Sequence, residues 1–84
     1  MSESLIDETI NLLEELMNNN EFPKSIRDAA KESLTALTNE EDDLFLRLSS
    51  AIEILEDKTS DTHIPLMSRT LIWEVLGKLE AIRD

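Results

Sequence analysis

The sequence predicts an all-α fold, a compact antiparallel four-helix bundle built from two similar helical hairpins. Its 84 residues include one Gly, two Pro and no Cys, whereas an all-β chain needs turn residues about every 8–12 positions. Apolar residues recur at steps of three and four, which is the periodicity of amphipathic helices. An internal echo of 42 residues divides this single domain into the halves 1–42 and 43–84.

The first half predicts two helices, over about residues 4–18 and 23–37. The run Asn18-Asn19-Asn20 ends the first helix, because Asn competes for backbone hydrogen bonds and tolerates a left-handed cap. Pro23 begins the second helix, since the N–H that Pro lacks would be unpaired in a first turn.

The third helix is expected over about residues 41–57, with its start inside the acidic segment 38–43. Thr38 and Glu41 have capping-box spacing, and acidic residues favour a helix N-terminus. A calcium or magnesium loop is the alternative, but the segment lacks the alternating ligands and the turn Gly of an EF-hand. The predicted inner face of this helix comprises Leu44, Phe45, Leu48, Ala51, Ile52 and Leu55.

The fourth helix is expected over about residues 65–83, and its apolar arc spans more than half of the helical wheel. Such a helix is either the most buried or serves an interface as well. Gly77 either lets another backbone come close or lies on the solvent face. Four apolar residues fall off the predicted inner faces and are candidate interface residues, although the sequence leaves open whether they belong to the core: Leu46, Ile54, Leu66 and Trp73.

The internal echo pairs nine identical residues across a shift of 42 positions. Shared helical periodicity inflates such a count, but it does not supply the repeated spacing from Pro23 to Arg27 and from Pro65 to Arg69. Two packings follow, a four-helix bundle or a short stack of HEAT-like helix pairs. Two repeats are fewer than the three that a solenoid normally needs, which favours the bundle.

The echo also pairs small residues with bulky ones. Ala29 and Ala30 of the second helix correspond to Leu71 and Ile72 of the fourth. We therefore expect the second and fourth helices to pack together, with the small residues of one receiving the bulk of the other.

Arg27 and Arg69 are expected to be structural. Each would reach back to the carbonyl end of the preceding helix or to a carboxylate, and so tie a connector to a helix. An anion site is the alternative, but two isolated Arg in an acidic chain without a neighbouring Gly-rich loop do not favour it.

Charge restricts the partners. The formal net charge is −11, and the basic residues are scattered singly, so nucleic acid and anionic membrane surfaces should be repelled. No apolar run is long enough for a membrane span, and the polar, acidic N-terminus is not a signal peptide. A protein partner or a homo-oligomer remains possible, and the absence of Cys fits a cytoplasmic protein.

No catalytic or metal-binding constellation is evident. His63, the sole His, lies in a connector without a positioned partner for acid–base chemistry, and it lacks the companion ligands of a metal helix. Carboxylate pairs are expected in so acidic a chain, and adjacent helical residues do not face each other. We therefore expect no catalytic residue, no metal ligand and no cofactor.

The stretch Ile64-Pro65-Leu66, then Arg69-Thr70-Leu71-Ile72-Trp73, then Val75-Leu76 resembles a short archaeal family, uncharacterised protein family 0147. The earlier Pro23 with Ile26-Arg27 and the junction Asn39-Glu40-Glu41 are also similar to it. The resemblance covers nearly the whole chain and implies a cytosolic α-helical bundle, without assigning catalytic residues. Family members often carry Pro in the acidic junction, where this chain has Asp42-Asp43, so the third helix is expected to begin earlier here.

Two functions are compatible with these observations. The leading hypothesis is a non-enzymatic helical module that binds another protein or itself. The alternative is a helical bundle that binds a metal or a small ligand through carboxylates.

Overall fold

The computed structural model describes residues 2–60 and 63–84, and the chain forms four helices there. They are α1 (Ser2–Asn18), α2 (Lys24–Leu37), α3 (Leu44–Thr59) and α4 (Leu66–Arg83). The predicted all-α fold of four helices is confirmed. Asp61 and Thr62, which were expected in the last connector, lie outside the described residues.

The helices pack as a closed ring. Extensive contacts join α1 to α2, α2 to α3, α3 to α4, and α4 back to α1. A stack of HEAT-like pairs would instead place α1 against α3 and α2 against α4. The bundle formed by these four helices is about 33 Å long and 20 Å wide in each of the other two directions. These contacts describe a bundle with one shared core.

The α2–α3 pair has the register of antiparallel neighbours. Ser33 Oγ donates to the carbonyl oxygen of Ala51 at 3.4 Å, and Arg47 Nη1 donates to that of Leu37 at 3.4 Å. Four residues forward along α2 therefore correspond to four residues back along α3. Ser33, one of the small residues of α2, meets Ala51 of α3. Helices α2 and α4 do not share an extensive contact, so our expectation that these two helices pack together is wrong. The ring order places α3 and α1 beside α2, and α4 across the bundle.

The core lies along the axis of this ring. Phe22 and Ile64, the residues before the two Pro, lie in connectors between helices, and their side chains are buried in this core. Thr9 is also buried, and its hydroxyl donates to the carbonyl oxygen of Leu5 at 2.7 Å. The hydrophobic residues of the core are Leu13, Leu16, Phe22, Ile26, Ala29, Ala30, Leu37, Leu48, Ala51, Ile52, Leu55, Ile64, Ile72, Val75, Leu76 and Leu79.

The start of α3 differs from both sequence expectations. Asp43 is the N-cap, and its Oδ1 accepts a hydrogen bond from the backbone N–H of Leu46 at 2.9 Å. Thr38 instead ends α2, and its hydroxyl donates to the Leu34 carbonyl at 2.8 Å. The helix begins at residue 44, not at 41 or earlier, because Asp is a preferred N-cap and Asp43 satisfies an otherwise unpaired N–H.

The inner face of α3 is shorter than predicted. Phe45 is 63% exposed and Leu44 is also exposed. Both lie in the first turn of the helix, at one end of the bundle, and the buried face begins one turn later at Leu48. Periodicity placed them on the core side, but the end of the bundle leaves no neighbour to cover them.

The helix starts agree with the predicted repeat. Helices α1 and α3 begin at residues 2 and 44, and α2 and α4 begin at 24 and 66, so both pairs are offset by 42 residues. Pro23 and Pro65 are the N-caps of α2 and α4. The duplication itself stays a prediction, supported by this matching of helix starts.

Candidate functional site: the exposed face of α4

The outer face of α4 carries large apolar side chains that no other helix covers. Leu66 is 73% exposed and Trp73 is 54% exposed. Seven residues are about two helical turns, so these two side chains lie on one line along the helix. Thr70 and Gly77 continue that line at spacings of three and four, and both are exposed. We call Leu66, Thr70, Trp73 and Gly77 the α4 stripe.

Gly77 forms a notch in the α4 stripe. A Cβ added at this position would meet nothing within 4 Å, so no intramolecular packing requires a glycine here. A glycine inside a helix costs about 1 kcal/mol relative to alanine. Of the two readings of Gly77 left open by the sequence, the chain's own packing matches the solvent-facing one, and the bare backbone beside Trp73 is accessible from outside.

A shallow apolar depression adjoins one end of the stripe. Leu66, Met67, Thr70 and Leu71 line it, and its volume is about 530 Å³. Met67 is 67% exposed and was not among the candidate residues from the sequence. Its position next to Leu66 in the first turn of an exposed helix was the available signal.

An acidic groove borders the stripe along the α1–α4 seam. Glu8 and Glu15 of α1 and Glu74 of α4 line it, and its volume is about 280 Å³. Lys78 Nζ lies 3.5 Å from Glu8 Oε2, so one of the carboxylates has a cationic neighbour. Glu74 follows Trp73 in sequence and precedes Gly77 by three residues, which places this groove immediately beside the stripe.

The four candidate interface residues do not form a single patch. Leu66 and Trp73 share the α4 stripe. Leu46 is 50% exposed but lies in the first turn of α3. Its position is roughly 20 Å from the last turn of α3, which is the turn that leads to the start of α4. Ile54 is half-buried. Leu46 and the exposed Leu44 and Phe45 therefore make a second, separate apolar surface at the start of α3.

Arg27 lies where a connector meets a helix. Its Nε donates to the carbonyl oxygen of Phe22 at 3.1 Å, and its Nη1 donates to Asn20 Oδ1 at 3.4 Å. Its guanidinium thus spans the α1–α2 connector. Arg69 holds the corresponding position of α4 and is half-buried.

A third Arg shares this position and was missed from the sequence. Arg47 follows the N-cap Asp43 by four residues, as Arg27 follows Pro23 and Arg69 follows Pro65. All three backbone N–H groups donate to the carbonyl oxygen of their N-cap, at 3.0 to 3.1 Å. The signal was this shared spacing, which became visible only once Asp43 was known to be the cap.

Within residues 2–60 and 63–84, no group of three or more His, Asp or Glu side chains could hold a metal ion. None of the described helices combines the length and the hydropathy needed to cross a bilayer. His63 is exposed.

Fold and surface together define a class: a small, strongly acidic four-helix protein with one helix face left uncovered. The sequence model of the Uncharacterised protein family UPF0147 matches residues 1–82. A UPF0147 protein of Methanothermobacter thermautotrophicus is 39% identical over 84 residues, covering 100% of this chain and 82% of the relative. A UPF0147 protein of Pyrococcus furiosus is 42% identical, covering 93% and 89%. The chain belongs to the family UPF0147, whose function is uncharacterised.

Solved structures agree with this assignment. The crystal structure of a UPF0147 protein from Thermoplasma acidophilum is similar with a TM-score of 0.93 and 31% identity, over 96% of this chain and 95% of that one. The crystal structure of the protein MMP1188, of unknown function, gives a TM-score of 0.88 and 35% identity, over 95% and 91%. The fold is therefore that of the family.

Proposed function

We propose that the protein is a non-enzymatic helical module that binds another protein through the α4 stripe. The observation that carries this function is the exposure of Leu66 and Trp73 on one line of α4. Large exposed apolar side chains that lie together mark interaction sites more often than scattered ones do, and Trp is enriched among the residues that dominate binding energy.

The neighbouring features support the same function. The depression lined by Leu66, Met67, Thr70 and Leu71 can receive an apolar side chain from a partner. Gly77 leaves backbone accessible at the other end of the stripe. The fold gives no reason for a glycine at this helical position, where it lowers helix stability, whereas contact from a partner would give one.

The competing functions have weaker support. An enzyme needs a positioned acid, base or nucleophile in a pocket, and the described grooves contain no such set. A carboxylate metal site would need several converging ligands. In the acidic groove beside α4, one of the carboxylates, Glu8, is instead paired with Lys78. A cytoplasmic location also belongs to the proposal, in line with the chain's lack of Cys.

Photo-cross-linking tests the proposed surface directly. A photo-reactive amino acid replaces Thr70, at the centre of the stripe, in the full chain expressed in archaeal cells. Thr35 of α2 is the matched control, because it is also exposed and its hydroxyl also donates to the carbonyl four residues earlier, at 2.9 Å against 3.0 Å for Thr70.

The proposal expects a discrete cross-linked polypeptide from position 70 that position 35 does not give. Substitution of Leu66 and Trp73 by Ser should abolish this product without unfolding the bundle, because both side chains are exposed. The same pattern of products from both positions would refute the assignment of this surface.

A further inference from the structure

The chemistry of the surface restricts what can cover it. The α4 stripe presents Leu66 and Trp73 as projections, with Thr70 between them and the notch at Gly77 beyond. Projections alternating with small residues at helical spacing fit the ridges and grooves of another helix laid along them. An amphipathic helix that docks on another protein does so through its own apolar residues, which are spaced three, four and seven positions apart.

The charge beside the stripe restricts the partner further. Glu74 borders the stripe, and Glu8 and Glu15 line the same groove with it. Among the described residues that line that groove, Lys78 is the only cation, and it lies 3.5 Å from Glu8. Glu15 and Glu74 therefore remain as negative charges that a cationic side chain of the partner can approach.

A second copy of this chain is a poor occupant. Each copy has a formal net charge of −11 and would bring its own acidic groove to the interface. Like charges across an interface are unfavourable and suppress wrong pairings. Complementary charge also accelerates the encounter with a basic partner.

We infer that the α4 stripe is covered by a basic amphipathic helix of a different protein, whose apolar residues sit on Leu66, Trp73 and Gly77 and whose Lys or Arg residues face Glu15 and Glu74. This inference rests on the proposed function and names the chemistry of the partner.

A synthetic peptide of about 18 residues, long enough to form helix on the surface, provides the probe. It combines Leu at helical spacing with Lys on both flanks, and a scrambled peptide of equal composition is its control. Trp73, the only Trp, reports binding through a blue shift of its emission. The titration is run on the full chain at low and at physiological salt.

Two double variants separate local from overall charge. Glu15→Lys with Glu74→Lys reverses the charge beside the stripe. Asp28→Lys with Glu32→Lys makes the same change in net charge at exposed positions of α2, which packs against α1 and α3. We expect the first pair to weaken peptide binding about tenfold or more and the second by less than about twofold, because neighbouring charges act more strongly than screened distant ones.

Each outcome has a defined meaning. Equal binding of the scrambled peptide, or equal weakening by both double variants, would show only bulk charge attraction and overturn the inference. A dimer of this chain at micromolar concentration that buries Trp73 would overturn it in favour of a second copy. Absence of peptide binding while Thr70 still cross-links to another protein would refute the partner's chemistry and leave the proposed function standing. Loss of both would refute both.

Discussion

Arg27 Nε donates a hydrogen bond to the carbonyl oxygen of Phe22 at 3.1 Å, and this contact joins the first turn of α2 to the connector that precedes it. Phe22 is buried in the core, so the guanidinium also holds the backbone that places this side chain. Arg47 makes the related contact from α3 to the last residue of α2, Leu37, at 3.4 Å. An Arg four residues after the N-cap is therefore a recurring feature of α2, α3 and α4.

Replacement of Arg27 by Ala should destabilise the fold. It removes two hydrogen bonds from a charged donor, and such bonds contribute about 1.5–3 kcal/mol when they are well formed. Since the contact to Asn20 is long, at 3.4 Å, we expect the free energy of unfolding to fall by about 1–2 kcal/mol. Urea unfolding measures this, with the exposed Lys24→Ala as the control. An unchanged midpoint would show that Arg27 is not structural.

Asp43→Ala should shorten α3. The side chain accepts from the Leu46 N–H, and loss of an N-cap typically costs about 1 kcal/mol. Asp42→Ala removes the same charge next to it, but the exposed Asp42 carboxylate accepts a long hydrogen bond from the exposed Asn39, at 3.3 Å, and its loss should change stability by less than about 0.5 kcal/mol. Equal effects of the two substitutions would indicate an effect of charge and not of capping.

Gly77→Ala should stabilise the bundle by up to about 1 kcal/mol, because alanine is the better helix former and its Cβ would meet nothing within 4 Å. Thermal unfolding followed by circular dichroism measures the gain. The same variant should bind the basic amphipathic peptide more weakly, since the notch is filled. A fall in melting temperature would contradict the exposed position of Gly77.

Replacement of two buried serines by Ala should change the stability of the fold in opposite directions. Ser68 Oγ is buried without a hydrogen-bond partner among the described residues, whereas Ser33 Oγ donates to Ala51. A buried hydroxyl costs free energy unless it is paired. Ser68→Ala should therefore stabilise the fold by about 1 kcal/mol, and Ser33→Ala should destabilise it by about the same amount. Denaturant titration of both variants side by side gives the comparison, and a loss of stability in Ser68→Ala would show that its hydroxyl is satisfied.

The helices themselves could be predicted because their signals are local. Pro23 and Pro65 mark two helix starts, and apolar residues at steps of three and four predict the helices themselves. The start of α3 was missed because Glu41 and Asp43 are both plausible near a helix N-terminus, and only the closed turn at residues 38–43 selects Asp43 as the cap. Phe45 was missed for a different reason, since its position on the wheel is suitable but the bundle ends there.

The candidate site divides in the same way. Leu66 and Trp73 could be identified as apolar residues off the inner face of α4, because a helical wheel assigns angles without knowledge of the neighbours. The position of these two residues beside the acidic groove could not be predicted from the sequence, because that groove combines residues of α1 and α4 that lie some 60 positions apart in the chain. Ile54 also lies off the predicted inner face of its helix, but in the folded chain it is half-buried. A position off the inner face therefore does not by itself predict an exposed side chain.

The amino-acid sequence was sufficient to predict four helices, their apolar faces, the acidic surface and the repeated Pro-to-Arg spacing, since each of these depends on residues within a few turns of one another. The arrangement of the helices in space was needed to show that α2 packs against α3 and not against α4, that the first turn of α3 is uncovered, and that Trp73 faces solvent beside Glu74. Periodicity shows which residues of a helix share a face, whereas burial depends on which other helices reach that face.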